Sequence, residues 1–189
     1  MSKTRQSGQL RIIGGDWRGR KLAFPAIADL RPTPDRVRET LFNWLQMNIA
    51  GARCLDLFAG SGALGLEALS RGASEVVFVE KSSKAANAIR EHLALLKTGR
   101  GQVITSDAMA YLTTPARPFD IVFLDPPYKL DLLSPCCQRL GTPGWLTPGA
   151  YLYIEAASQL TELPLPPDWS LMRSKKAGDV GYHLARIKG

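Results

Sequence analysis

From residue 53 to residue 140 the chain alternates, four times over, a short apolar run with a segment of helical period. The strand candidates are 53–58, 75–80, 102–106 and 119–125, and helix candidates 62–71, 82–97, 108–113 and 130–140 follow in turn. Parallel strands need a long crossover, which a helix supplies, so this alternation implies right-handed βαβ units and a parallel sheet covered on both faces. A fifth strand is expected at 151–155, and runs near 169–174 and 182–187 have the hairpin character of an antiparallel edge. The expected fold is α/β: a doubly wound, mostly parallel, seven-stranded Rossmann-like sheet. Ahead of it, β-like runs at 10–13 and 20–24 flank the turn-rich 14–19 and predict a small N-terminal β-hairpin extension.

Composition narrows the class. With 189 residues, 45% hydrophobic and 22% charged, the chain has the make-up of one water-soluble globular domain. No apolar run approaches the ~18 residues that span a bilayer. The basic N-terminus has no apolar segment behind it to form a signal peptide, so the expected location is the cytoplasm and no membrane partner is expected. Cys54 falls in an apolar strand pattern, and Cys136 and Cys137 have no second pair at zinc spacing. Structural cysteines and no metal are expected. No stripe suggests a subunit interface, and a monomer is expected.

Charge is concentrated at one end. Residues 1–38 hold nine Lys or Arg against three Asp, a net +6, while the other 151 residues hold 15 basic and 14 acidic groups. Such asymmetry points to a polyanion-binding arm at 1–30, ahead of a catalytic domain at 31–189. Arg11, Trp17, Arg18, Arg20, Lys21 and Arg36 are the candidate nucleic-acid contacts. Trp17 at the hairpin tip suits base stacking, and equally suits pinning the hairpin to the body. Thr33, Pro34 and Asp35 then open a helix, with Thr33 as the expected cap and Pro34 in the first turn. Val37, Leu41, Trp44 and Leu45 form its core face, which leaves Arg36, Arg38 and Glu39 elsewhere on the helix.

The first strand of the repeat runs through Asp56 and Phe58 into Gly60, Gly62 and Gly65, a G-x-G-x-x-G spacing that opens a helix. Glu80 lies twenty positions after Gly60, at the end of the next strand, placed to accept from both hydroxyls of a ribose. Those features fit NAD as well as any other adenosine-bearing cofactor. Asp56, Asp107 and Asp125, however, end further strands beside Glu80. Four carboxylates on one rim repel a diphosphate and favour a cofactor that carries an ammonium and a sulfonium, S-adenosylmethionine.

The fourth strand closes on Asp125, Pro126, Pro127 and Tyr128. Consecutive prolines cannot continue a ladder, so the chain leaves the sheet stiffly, with Asp125 and Tyr128 over the edge where open α/β sheets bind ligands. This Asp-Pro-Pro-Tyr resembles the motif of S-adenosylmethionine-dependent methyltransferases that act on exocyclic or amide nitrogens. The blocks at 11–15, 17–22 and 31–45, together with 56–73 and 125–128, resemble the RsmD family of bacterial 16S rRNA guanine-N2 methyltransferases across essentially the whole chain. The resemblance implies a methyltransferase sheet in which Glu80 binds the ribose, Asp107 and the Ala108 backbone hold the adenine, and the turn from Asp56 to Gly62 cradles the methionine end. It also implies one target guanine, conventionally numbered 966, in 16S rRNA or the assembling 30S subunit, with S-adenosylhomocysteine as product. No function falls on 157–180.

An exocyclic amine is a weak nucleophile because its lone pair is delocalised into the ring. Acceptors at the Asp125 carboxylate and the Pro126 carbonyl would draw its hydrogens out of plane, and Tyr128 would stack on the flipped base. A DNA adenine-N6 methyltransferase would share that chemistry but usually carries a sizeable recognition domain. A protein-glutamine methyltransferase fits the basic arm poorly. A NAD-dependent oxidoreductase lacks a hydride-handling set here, and a non-catalytic RNA-binding protein stays open as the alternative if the cofactor pocket is empty.

Overall fold

The computed structural model describes residues 8–25, 33–127, 131–160 and 162–189. A two-stranded hairpin, β1 (Gly8–Arg11) and β2 (Lys21–Phe24), leads into α1 (Asp35–Trp44). There follow β3 (Arg53–Asp56), α2 (Ala63–Ser70), β4 (Glu75–Glu80), α3 (Ser83–Leu95), β5 (Gly101–Thr105), α4 (Ala108–Tyr111), β6 (Phe119–Leu124) and α5 (Leu133–Leu140). The chain ends in β7 (Leu146–Ala157), β8 (Trp169–Ala177) and β9 (Val180–Ile187). Seven strands pair in the order β5-β4-β3-β6-β7-β9-β8, parallel as far as β7 and antiparallel at β9 and β8. The chain order reverses beside β3, the switch point at which such sheets open a crevice.

The central strands of the sheet are buried on both faces, which is why they read as unbroken apolar runs. Cys54, Val76, Phe78, Ile121, Phe123 and Tyr153 face α1, α2, α3 and the hairpin. Leu55, Val77, Val79, Val122, Leu124 and Leu152 alternate to the other face, against α4 and α5. Burying a ring such as Phe78 or Phe123 contributes roughly 1.5–3 kcal/mol. Gly65 lets α2 lie close on β4, since a Cβ there would stand 2.2 Å from the Phe78 ring. All three cysteines are buried and free, and burial pushes the Cys136 and Cys137 thiols up to about 12.

Three local expectations change. The helix cap is Pro34 with no side-chain bond, because the Thr33 hydroxyl instead donates to Glu155 at 3.1 Å. Arg38, expected away from the core face, is 1% exposed. Its guanidinium donates to the carbonyls of Thr33 and Arg11 and to the carboxylates of Asp35 and Glu67, which meets the cost of burying it. Strand β7 begins at Leu146, five residues early, and takes Pro148 and Gly149 through an irregularity in its pairing with β6.

The hairpin is part of this packing. Leu10, Ile12, Leu22 and Phe24 enter the same core as α1 and α2. Glu67, wholly buried on α2, accepts from the Ile13 and Gly14 amides at 2.9 and 2.8 Å and pairs with Arg38 and Arg71. Ser70 adds bonds to Trp17 N and Gly14 O, and His92 on α3 meets Ala23 O at 2.8 Å.

Candidate active site

Strand β3 ends at Asp56 and turns through Gly60 (φ 54°) and Gly62 (φ 78°) into α2. Those left-handed angles favour glycine, and Gly62 occupies the cap position with no side-chain bond to the helix. The turn is held from both flanks. Gly60 N donates to Glu80 Oε2 at 2.8 Å, Ser82 N donates to Glu80 Oε1 at 2.7 Å, and Gly65 N donates to Asp56 Oδ2 at 3.0 Å. Two amides thus fix the Glu80 carboxylate plane at the end of β4 and leave each oxygen a further lone pair. Gly65 serves helix–strand packing rather than ligand approach. Asp107 ends the loop after β5, where its Oδ1 caps α4 by accepting from Met109 N and Ala110 N; Ala108 beside it is buried. Phe58 is half-buried against the core on the α4 side.

Beside this turn, β6 ends in half-buried Asp125 and buried Pro126. Tyr128 lies outside the described residues. Leu124 pairs with Ile154, which brings Asp125 alongside Glu155 at the end of β7. Glu155 is buried and accepts from Tyr153 Oη at 2.8 Å and from Thr33 Oγ1. Asp56, Asp125 and Glu155 make a cluster of carboxyls, and none of them joins a salt bridge among the described residues. Burial raises the Asp56 pKa to about 7, with Glu80 and Glu155 adding to the rise against the Gly65 bond. Burial, then Glu155 and Asp56, hold Asp125 well above the usual carboxylate range. Glu155 is also raised by burial, despite its two hydroxyl partners.

Such a corner favours a cation, because among the described residues no counter-charge pairs with these carboxyls. An ammonium and a sulfonium would supply that charge, and Glu80 and the Asp107 loop follow at the ends of the neighbouring strands β4 and β5. The residues fit S-adenosylmethionine. Sequence reasoning missed Glu155 and Thr33. The available signal was a strand that ends in Glu155 directly beside the one that ends in Asp125.

The candidate RNA contacts lie on the hairpin and in the first turn of α1. Arg18, Arg20, Lys21 and Arg36 are exposed, and Arg11 is exposed while pairing with Asp35 at 3.2 Å, which ties β1 to α1. Trp17 is half-buried, packed on the core, with the Arg100 guanidinium 5.7 Å from its ring centroid. Its ring therefore already holds the hairpin to the body.

Comparison with known proteins agrees with this geometry. The family described as conserved hypothetical protein 95 matches residues 10–186. Ribosomal RNA small subunit methyltransferase D of Escherichia coli K12 is 49% identical over 94% of this chain and 90% of its own. The Haemophilus influenzae protein of the same name is 44% identical, over 94% and 93%. A solved Escherichia coli chain named as a methyltransferase superposes with a TM-score of 0.90 at 46% identity, covering 96% of this chain and 99% of that one. The chain belongs to the RsmD family of S-adenosylmethionine-dependent methyltransferases.

Proposed function

We propose that this protein methylates the exocyclic N2 of a single guanine in 16S rRNA, the position conventionally numbered 966, during small-subunit maturation in the cytoplasm. The observation that carries the reading is the carboxyl cluster, without counter-charge among the described residues, beside the Asp125-Pro126 strand end. The small-subunit rRNA named for the relatives supports the choice of substrate. The partner is 16S rRNA or the assembling 30S subunit, and the chain acts as a monomer.

When bound, the cofactor supplies an electrophilic methyl group. A cation beside Asp56 and Asp125 shifts both carboxyls toward their ionised forms, so the acceptor at Asp125 is strengthened when the methyl donor is in place. The Asp125 carboxylate and the Pro126 carbonyl accept the two amine hydrogens and localise the N2 lone pair toward the methyl group. As the N–C bond formed, the S–CH3 bond would break with its electron pair left on the sulfur of S-adenosylhomocysteine, and one N2 proton would pass to Asp125 and on to solvent. Tyr128 stacks on the base, a contact worth roughly 1–3 kcal/mol. Positioning and electrostatics provide the acceleration without a covalent enzyme intermediate.

The test is tritium transfer from labelled S-adenosylmethionine onto 16S rRNA, naked and within 30S subunits, followed by mapping of the labelled nucleotide. Label on guanine N2 at one position is the expected result. Label on adenine N6 of DNA would replace this reading with the DNA methyltransferase that shares its chemistry.

A further inference from the structure

Strand β8 is the free edge of the sheet, and after Trp169 every one of its residues is exposed, including Leu171 and Met172 at 51% each. It carries Arg173, Lys175 and Lys176 and no acid. The register fixes where they lie. Glu155 on β7 pairs with Tyr182 on β9, and Tyr182 pairs with Lys175 on β8. Side chains in one row of a sheet share a face, so Lys175 stands on the face of Glu155, two strand spacings or about 10 Å away. That face is the one covered by α1, because Thr33 reaches Glu155 and Trp44 stacks on Tyr182 at 5.6 Å. Arg173, paired with Leu184, lies on the same face, and Lys176, paired with Gly181, on the opposite one.

The N-terminal hairpin sits over α2 and α3, on the β3–β4 side of the carboxyl cluster. Strand β8 lies at the other side, beyond β7 and β9. We infer that Arg173 and Lys175 form a second phosphate-binding surface, which holds the rRNA strand leaving the Asp125 pocket on the side away from the hairpin. The inference rests on the rRNA-methyltransferase reading above. A target base drawn out of its stack brings its flanking phosphates across this edge, and exposed cations on a strand without acids complement them. Backbone amides of this edge that pair with no other strand among the described residues offer further donors to phosphate oxygens. Lysines and a bulge also protect edge strands from pairing with other chains, and β8 has its bulge between Leu171 and Arg173. That role makes no distinction between the two faces.

The experiment compares the full-length wild type, R173E/K175E, R173Q/K175Q and K176E. Each is measured for binding to transcribed 16S rRNA over a salt series, for rRNA KM and kcat by methyl transfer, for S-adenosylhomocysteine binding, and for size in solution. Both double variants should flatten the plot of log affinity against log salt by about 1.4, from ~0.7 per single-strand phosphate contact. R173E/K175E should raise the rRNA KM by about tenfold or more, with kcat at saturating rRNA changing far less and S-adenosylhomocysteine affinity intact. K176E should match wild type within about twofold. The inference is overturned if R173E/K175E keeps the wild-type slope and KM, if K176E loses as much, or if the double variants self-associate while their monomers keep wild-type KM. A wild-type chain that transfers no methyl to rRNA removes the proposed function and this surface with it. Normal transfer with an unaltered salt slope removes the surface alone.

Discussion

Cofactor binding should release a proton. Asp56 is buried, accepts one amide bond from Gly65, and titrates at about 7 because burial and the neighbouring Glu80 and Glu155 oppose its charge. A carboxyl with that pKa is about nine-tenths ionised near pH 8 and about one-tenth ionised near pH 6. Binding a cation beside it requires the ionised form. The affinity for S-adenosylhomocysteine, which keeps the ammonium, should therefore fall about tenfold between those values, equivalent to about 1.4 kcal/mol. Calorimetry near pH 6 in two buffers of different ionisation enthalpy should show at least about one proton released per ligand bound. Asp125 and Glu155, also raised, can add to that number. Asp56→Asn should lower the release by about one proton and flatten the pH dependence. The same residue sets a stability term of defined sign. Its folded pKa lies above its unfolded value, so the neutral side chain favours the folded ligand-free protein below about pH 4, and that contribution is lost as pH rises through about 7. Wild type should accordingly lose stability relative to Asp56→Asn across that window. Affinity independent of pH, with no proton released, would refute the electrostatic account of the pocket.

Asp125→Ala should lower methyl transfer at saturating cofactor by about a hundredfold or more, the scale of removing a positioned acceptor; normal turnover would remove its role. Glu67→Gln should destabilise the fold by roughly 3–5 kcal/mol in thermal or denaturant unfolding, because it removes the buried charge that Arg38 and Arg71 share and faces two amide donors with an amide. In a domain of this size that is a drop in melting temperature of roughly 6–20 °C. Reversing Arg18, Arg20 and Lys21 together should flatten the salt dependence of rRNA binding, and an unchanged slope would mean the hairpin is not an RNA contact.

The parallel core was readable because a strand buried on both faces must be apolar throughout, and β3, β4 and β6 are. The glycine turn, Glu80, Asp107 and Asp125 were readable because each ends a strand at the edge where ligands bind. What escaped depends on partners distant in sequence. Thr33 looks like a helix cap until Glu155, 122 residues away, takes its hydroxyl. Arg38 falls off the apolar stripe of α1, and its burial is made tolerable by partners that include Arg11 O on the hairpin and Glu67 on a different helix. Trp17 was open between RNA and the protein body, and Arg100 with the core beneath it now occupies the ring. The early start of β7 was hidden by Pro148 and Gly149, residues that ordinarily end strands but are absorbed there at an irregular pairing.

The grip of Glu67 on Ile13 and Gly14 also governs the order in which the molecule can be completed. The basic segment leaves the ribosome before α2 and α3, yet its anchors lie 54 and 53 residues downstream on α2, and the His92 contact to Ala23 spans 69. A two-stranded ribbon is at best marginal by itself, so the nascent arm has no fixed shape until the helix that opens at the glycine turn has been made and packed. The surface that would meet nucleic acid thus matures only together with the pocket that would hold the methyl donor.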